Sequence, residues 1–522
     1  MEANTKPGIP GLGNDSAFST DLLLGAERRV DGRRLDHAPL QTVADLSGRV
    51  CDRGSVDATG YTVGQLNRFL AWRQQSFRDA SLFVWACWFT LSLGACVFIF
   101  HYASNAPYWD ELSVVAVLTH NQPVTVQWLW SQANEHRIPL PRLILVGLAR
   151  LSGTDFRAGM YLNALLMSCL AAIMIVTARG IRGRSCYTDA FFPIALLNWG
   201  HYENLLWSFQ VAFSCSTFLV CVFLVLIVTR GPNFLTPDGS FAAGPALVGS
   251  LCLLLLPLCG AMGTVLVPPL GLWLGWAGIR SLSRDGWTRW KSMPSIALVL
   301  LAFATIGLYF LTGYYSPPWH PPPPNLRAWV VTSGEFLCAG LGSPAVYLLG
   351  HRVFLVAGVL STVVVATLVS AWFSQPSERP RLAAMGLFLF GFLALAIAIG
   401  KGRAFQGEAA GLAPRYGWLA APFAIGLYLA VGRWGRPPLS RFVQFCFFLA
   451  ATLIVLDNYK EGQIHARVRR AECQVLMTSV RAGMTNEEIF AQCGKSFFCD
   501  KGVFIQSLEF MRNARVGPFA DK

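Results

Sequence analysis

Pro139-Leu-Pro-Arg-Leu-Ile-Leu-Val-Gly-Leu-Ala-Arg-Leu-Ser-Gly153 is apolar enough to be mistaken for a membrane span, and the side on which every later segment falls depends on whether it crosses. Crossing takes about 20 mostly apolar residues, enough to cover about 30 Å of hydrocarbon. The basic residues downstream decide against it. Arg179, Arg182 and Arg184 follow the next apolar run. Arg280, Arg284, Arg289 and Lys291 follow a later one, and the pairs or trios Arg379 and Arg381, then Arg433, Arg436 and Arg441, follow two more. Short cytoplasmic loops collect Lys and Arg. All four groups share one side only if residues 138–152 do not cross. The run is therefore read as a helix lying in the outer interface. Residues 102–157 become one long outer loop with two or three such interfacial helices.

Composition agrees with a membrane setting. The 522 residues are 54% hydrophobic and 14% charged, against about 25% charged in soluble domains. The expected class is an all-α polytopic membrane protein. Spans are expected at roughly 82–101, 158–178, 187–204, 208–229, 243–259, 261–279, 294–312, 353–373, 383–400, 417–432 and 442–457, about eleven in all. Residues 1–60, rich in Gly, Asp, Arg and Ser, read as a disordered cytoplasmic tail. Residues 61–80 read as an amphipathic helix on the inner leaflet or an extension of the first span. The first apolar run starts near Ser81, so it is expected to stay in place and act as its own insertion signal. Residues 81–457 form the transmembrane domain and 458–522 a small outer, periplasmic region. One basic cluster, Arg467, Arg469 and Arg470, falls on the unexpected side. The net charge of +13 is spread over short inter-span loops, which excludes a nucleic-acid-binding domain.

The outer segments carry the chemistry. Asp110 and Glu111 lie just past the first span, where ionisable groups usually mark function. They are candidate catalytic carboxylates, a general base or a partner to a divalent cation such as Mg or Mn. Helix capping is the plainer use of such a pair. Glu135, His136, Arg137 and Arg142 follow within the same loop. Arginine offers phosphate a planar fork that keeps its charge, although at an interface it also snorkels to headgroups. His201, Glu203 and Asn204, with Trp207 and Gln210, suit sugar hydroxyls and ring faces. The proline-rich 313–326 loop, with His320, reads as a wall or lid. Lys401, Arg403 and Arg415 have the wrong sign for an outer loop, so a bound phosphate or a carboxylate such as Glu408 should compensate them. Cys493 and Cys499 are a candidate disulfide, leaving Cys473 over. No metal-ligand spacing stands out.

An acidic residue in the first outer loop, interfacial helices after it, and the late pair Arg415-Tyr416 before a span together resemble the GT-C class of membrane glycosyltransferases. These include the aminoarabinose and mannose transferases that use polyprenyl-phosphate sugars. The resemblance covers about residues 80–457. It implies a GT-C-like bundle and inverting transfer from a polyprenyl-phosphate sugar to a glycan, lipid or protein acceptor at the outer face of a bacterial inner membrane. Asp110 with Glu111 would be catalytic. Arg137, Arg142, Lys401, Arg403 and Arg415 would hold the donor phosphate. Glu135, His136, His201, Glu203, Asn204 and Tyr416 would line the sugar and acceptor cavity. Two other readings stand beside it: a transporter or flippase for a lipid-linked saccharide, and an O-antigen ligase or polymerase.

Overall fold

Among the described residues, eight helices are long and apolar enough to cross a membrane: Phe77–Tyr102, Ala158–Arg182, Ser208–Thr229, Ala261–Leu282, Met293–Leu311, Phe354–Ser374, Pro376–Gln406 and Pro437–Arg481. The structure is a computed structural model that describes residues 63–230, 243–282, 288–318, 320–342, 352–498 and 500–520. Residues Leu70–Lys522 form one unit; of the other, Met1–Phe69, only the stretch from Val63 is described, and the expected disordered tail lies outside it. The first helix runs unbroken from Val63 to Tyr102. The chain is therefore an all-α polytopic membrane protein. Among the described residues its only sheet is the two-stranded pair Gln132–Ala133 with His136–Arg137.

The other three expected spans, at 187–204, 243–259 and 417–432, are not among the eight, each for its own reason. Residues 187–205 are broken into Tyr187–Ala190, Phe191–Leu197, Trp199–His201 and Tyr202–Leu205. Asn198 is extended there, and its side chain accepts from the Gly200 amide at 2.9 Å. Ala243–Cys259 is 17 residues long. Tyr416–Trp434 is diluted by Trp, Tyr and Gly, yet all but two of its residues, Gly432 and Arg433, are buried. A helix apolar on all sides belongs in the middle. Small residues let neighbours come close to it. A methyl on Gly426 would meet Phe388, and one on Gly340 would meet the backbone of Ala421.

Helices join two ends of the molecule. At one, Arg182 pairs with Asp189, Tyr428 donates to Asp189 at 2.9 Å, and Glu378 holds Arg381 (2.9 Å) and Arg433 (3.3 Å). Arg182, Arg381 and Arg433, from three of the basic short loops, lie here. At the other end lie the 102–157 loop, the 313–325 loop, residues 401–416 and the C-terminal region. The segment opening the sequence reading is a 14-residue helix, Pro139–Ser152, closed by Gly153 at φ 67°. At 1.5 Å per residue it is about 21 Å long, too short to span.

The C-terminal region is not a separate appendage. The helix Val455–Arg481 follows Pro437–Leu453 almost without interruption and carries the chain out beside the 102–157 loop. Phe504, Leu508 and Met511 from Lys501–Ala514 then pack with Leu112, Val115 and Phe156 of the first outer loop. This second apolar core fixes the tail over the loop.

Candidate functional site

These elements enclose a cavity of about 1680 Å³, larger than the roughly 300–1,000 Å³ of an ordinary small-molecule pocket. Its floor begins at the turn Trp109–Glu111. Trp109 has φ 48°, a left-handed conformation that a bulky residue rarely adopts. Backbone strain of this kind gathers at functional sites. The 3-10 turn, with three residues per turn, then points its two consecutive carboxylates to different sides. Asp110 lines the cavity and accepts from Asn134 Nδ2 at 3.3 Å; Asn134 is itself at φ 51°. Glu111 points away and is 1% exposed. Its Oε2 accepts from the Tyr108 amide at 2.8 Å and its Oε1 from the Phe209 amide at 3.1 Å. The expected catalytic pair thus resolves into one cavity carboxylate and one buried cap. Burial pushes the Glu111 carboxyl up to about 7, against the pull of those amides and of Arg469. Burial also raises Asp110 above the usual carboxylate range, while His136, Asn134, Arg415 and Arg403 draw it back.

One wall is cationic. Arg403, at the end of the helix Arg379–Arg403, pairs with Glu135 and donates from Nε to Tyr416 Oη at 2.8 Å. His320 Nδ1 stands 3.2 Å from Glu135 Oε2, which seats the proline-rich loop against the same carboxylate. Arg415 reaches Glu203 at 3.4 Å and lies over the Tyr416 ring at 5.4 Å. Lys401 lines the wall and is exposed. His136 accepts from the Ala261 amide at Nδ1 (3.4 Å) and faces Glu135 through Nε2 (3.4 Å). Burial lowers His136 to about 4, so at neutral pH it is an uncharged imidazole. Beneath the polar groups the cavity continues between spans, where Phe213, Met262, Val265, Leu395 and Ile399 line it.

Four other expected site residues serve the scaffold. Arg137 donates to the carbonyls of Tyr309 (3.1 Å), Trp130 (2.6 Å) and Thr312 (2.6 Å). Arg142, 3% exposed, donates to those of Trp128 (2.5 Å) and Ser131 (2.7 Å). Both guanidiniums are consumed in tying down the 126–137 turn, and neither lines the cavity. His201 is fully buried, with Nε2 at 2.8 Å from the Ala195 carbonyl and its ring against Trp418. Asn204 is fully buried and donates to the Pro414 carbonyl at 3.0 Å, which positions Arg415 next along the chain. Cys493 is buried with a free thiol, and Cys499 lies outside the described residues, so the expected disulfide has no described counterpart.

The opposite wall comes from residues to which the sequence reading gave no site role. Arg469 and Glu472 of the tail helix line the cavity, with Asp500 beyond them. The Arg469 guanidinium carbon is 3.1 Å from the Tyr108 ring centroid. His465 stacks on Tyr202 at 4.6 Å. The wrong-sided cluster Arg467, Arg469 and Arg470 was the one signal in the sequence that pointed here.

No protein-family model matches this chain, and neither a curated protein nor a solved structure matches it. The cavity itself has to carry the functional reading. Among the described residues no group of three or more His, Cys, Asp or Glu side chains is able to hold a metal ion. Asp110 stands under His136, Arg415 and Arg403 rather than beside a second carboxylate.

Proposed function

We propose that this chain is an integral membrane glycosyltransferase that moves a sugar from a polyprenyl-phosphate donor to an acceptor at the outer face of the membrane. The observation that carries this reading is Asp110: a carboxylate with no ion pair among the described residues, in a large cavity between a cationic wall and an apolar slot that runs between the spans. The slot suits a prenyl chain. The wall of Lys401, Arg403 and Arg415 suits its phosphate, with Glu135 and Glu203 as the counter-ions a phosphate would displace. A carboxyl raised by burial suits a general base.

In this mechanism the acceptor hydroxyl or amine attacks the anomeric carbon and gives its proton to Asp110. The bond from that carbon to the phosphate oxygen breaks, and the electron pair leaves with polyprenyl phosphate. The new bond forms on the opposite face of the sugar, so the configuration inverts. Arg403 and Arg415 stabilise the phosphate as its charge grows. The broken segment 187–205, Ala243–Cys259 and Tyr416–Trp434 would complete a GT-C-like set of eleven crossings. The amino terminus would be cytoplasmic and the carboxyl terminus periplasmic, in a bacterial inner membrane.

The test is turnover by the full-length protein in nanodiscs, offered a panel of polyprenyl-phosphate sugars. Asp110→Asn should bind the donor and lose turnover by about 10²- to 10⁴-fold. Undiminished turnover in that variant would end the assignment of Asp110. Movement of the intact lipid-linked sugar across a bilayer, with no transfer, would replace the transferase with a transporter.

A further inference from the structure

Every other arginine on the cavity walls has an acidic partner: Arg403 has Glu135 and Arg415 has Glu203. Arg469 makes no ion pair among the described residues. Its guanidinium carbon lies 3.1 Å from the Tyr108 centroid and 5.2 Å from that of Phe497, with the two rings on adjacent sides of it. The Tyr108 ring covers the guanidinium on its own side. Nη1 is shut off from water and has no hydrogen-bond partner. A cationic N–H removed from water without an acceptor is unfavourable. Arg469 is thus a cation on the cavity wall with no anionic partner among the described residues. One turn further along the helix, Glu472 lines the same cavity. Residues three apart share a helix face, yet these two do not pair. Asp500, at the same end, already accepts from the Val503 amide at 3.0 Å. Trp109 and Phe498, with centroids 6.3 Å apart, supply apolar ring faces beside them.

We propose that this end of the cavity is the acceptor subsite and that the acceptor is an acidic saccharide, its carboxylate or phosphate ester seated on Arg469 and a neighbouring hydroxyl donating to Glu472. The proposal rests on the transferase reading and names its second substrate. The uncompensated carboxylates Glu472 and Asp500 disfavour an acceptor that is anionic throughout. A single oxyanion among hydroxyls satisfies both signs. The donor phosphate has its own cations in Lys401, Arg403 and Arg415, so the two substrates do not compete for one arginine.

Binding to the full-length protein in nanodiscs, followed by quenching of Trp109 and Trp207 in the cavity, tests this. The probes are glucuronate, its uncharged methyl ester, glucose 6-phosphate and glucose. Farnesyl phosphate reports separately on the donor wall. Glucuronate or glucose 6-phosphate should bind about tenfold more tightly than the ester and glucose, since a charge-assisted bond is the difference. Whichever anion is preferred identifies a carboxylate or a phosphate as the recognised group. Arg469→Gln should erase that preference, Arg469→Lys should keep part of it, and neither should change farnesyl phosphate binding. Equal binding of charged and uncharged sugars to the unaltered protein overturns the proposal, whatever the variants do. So does loss of farnesyl phosphate binding in Arg469→Gln together with retained sugar discrimination, which would move Arg469 to the donor. If sugars are discriminated but farnesyl phosphate fails to bind, the acidic-saccharide site stands and the lipid-donor reading falls.

Discussion

Adjacent residues in this protein do unrelated work, and titration separates them. Asp110 must be deprotonated to act as a base, and burial holds its carboxyl high. The acid limb of kcat/KM should therefore lie above pH 4, where a free aspartate of pKa about 3.9 would place it. Arg415 helps hold that carboxyl down, so Arg415→Gln should shift the limb to higher pH; an unmoved limb would remove Asp110 as the titrating group. Glu111 acts on stability instead. In the folded protein it keeps its proton up to about pH 7, whereas its ordinary value is 4.5. Between those values the native state binds more protons than the unfolded chain, so stability falls as pH rises. The melting temperature should drop from pH 5 to 7.5, and Glu111→Gln should flatten that slope. The arginines divide in the same manner. Arg403→Gln should raise KM for the lipid donor about tenfold by removing a charge-assisted phosphate contact. Arg137→Gln, which strands three carbonyls, should cost about 1–3 kcal/mol of stability and leave KM alone.

At the scale of elements, the tail helix is fixed to the spans by close approach. Gly462 sits against Trp199, where an added methyl would meet both the carbonyl and Cβ of that residue. Gly462→Ala should destabilise by about 1–3 kcal/mol, as overpacking does, and should weaken saccharide binding more than farnesyl phosphate binding. Equal loss of both would mean that the helix does not locate one wall alone. Much of this level was legible in the sequence. Apolar runs marked the eight long helices, and Pro139–Ser152, which the loop arginines argued against as a span, is a helix of 14 residues. The fate of individual side chains was not legible. Arg137 and Arg403 are the same chemistry at comparable positions. What separates them is that the carbonyls of Tyr309 and Thr312, some 170 residues away, reach one and not the other. Asp110 and Glu111 are parted by the 3-10 turn that holds them, which no local pattern foretold. His201 looked like a cavity residue because its neighbours Glu203 and Trp207 are ones.

For the molecule as a whole, the two ends make a sidedness claim. The first outer loop and the tail share an apolar core, so they must occupy one compartment. The Arg182–Asp189 and Glu378–Arg381 clusters lie at the far ends of the connecting helices. In intact cells, a membrane-impermeant maleimide should label a cysteine introduced at Glu487, on the tail, and not one introduced at Arg436. Labelling at both or at the reverse position would invert or abolish the arrangement. The near-continuous pair Pro437–Leu453 and Val455–Arg481 has a mechanical side as well. Arg469 sits 15 residues past Ile454, about 22 Å along a helix axis. A tilt of about 5° in the span would swing it by about 2 Å, and spans tilt when lipid thickness changes. The last span and its extension are thus a lever with one arm in the bilayer and a second, of similar length, that carries one jaw of the cavity, so lipid chain length becomes a gauge of how wide that jaw stands.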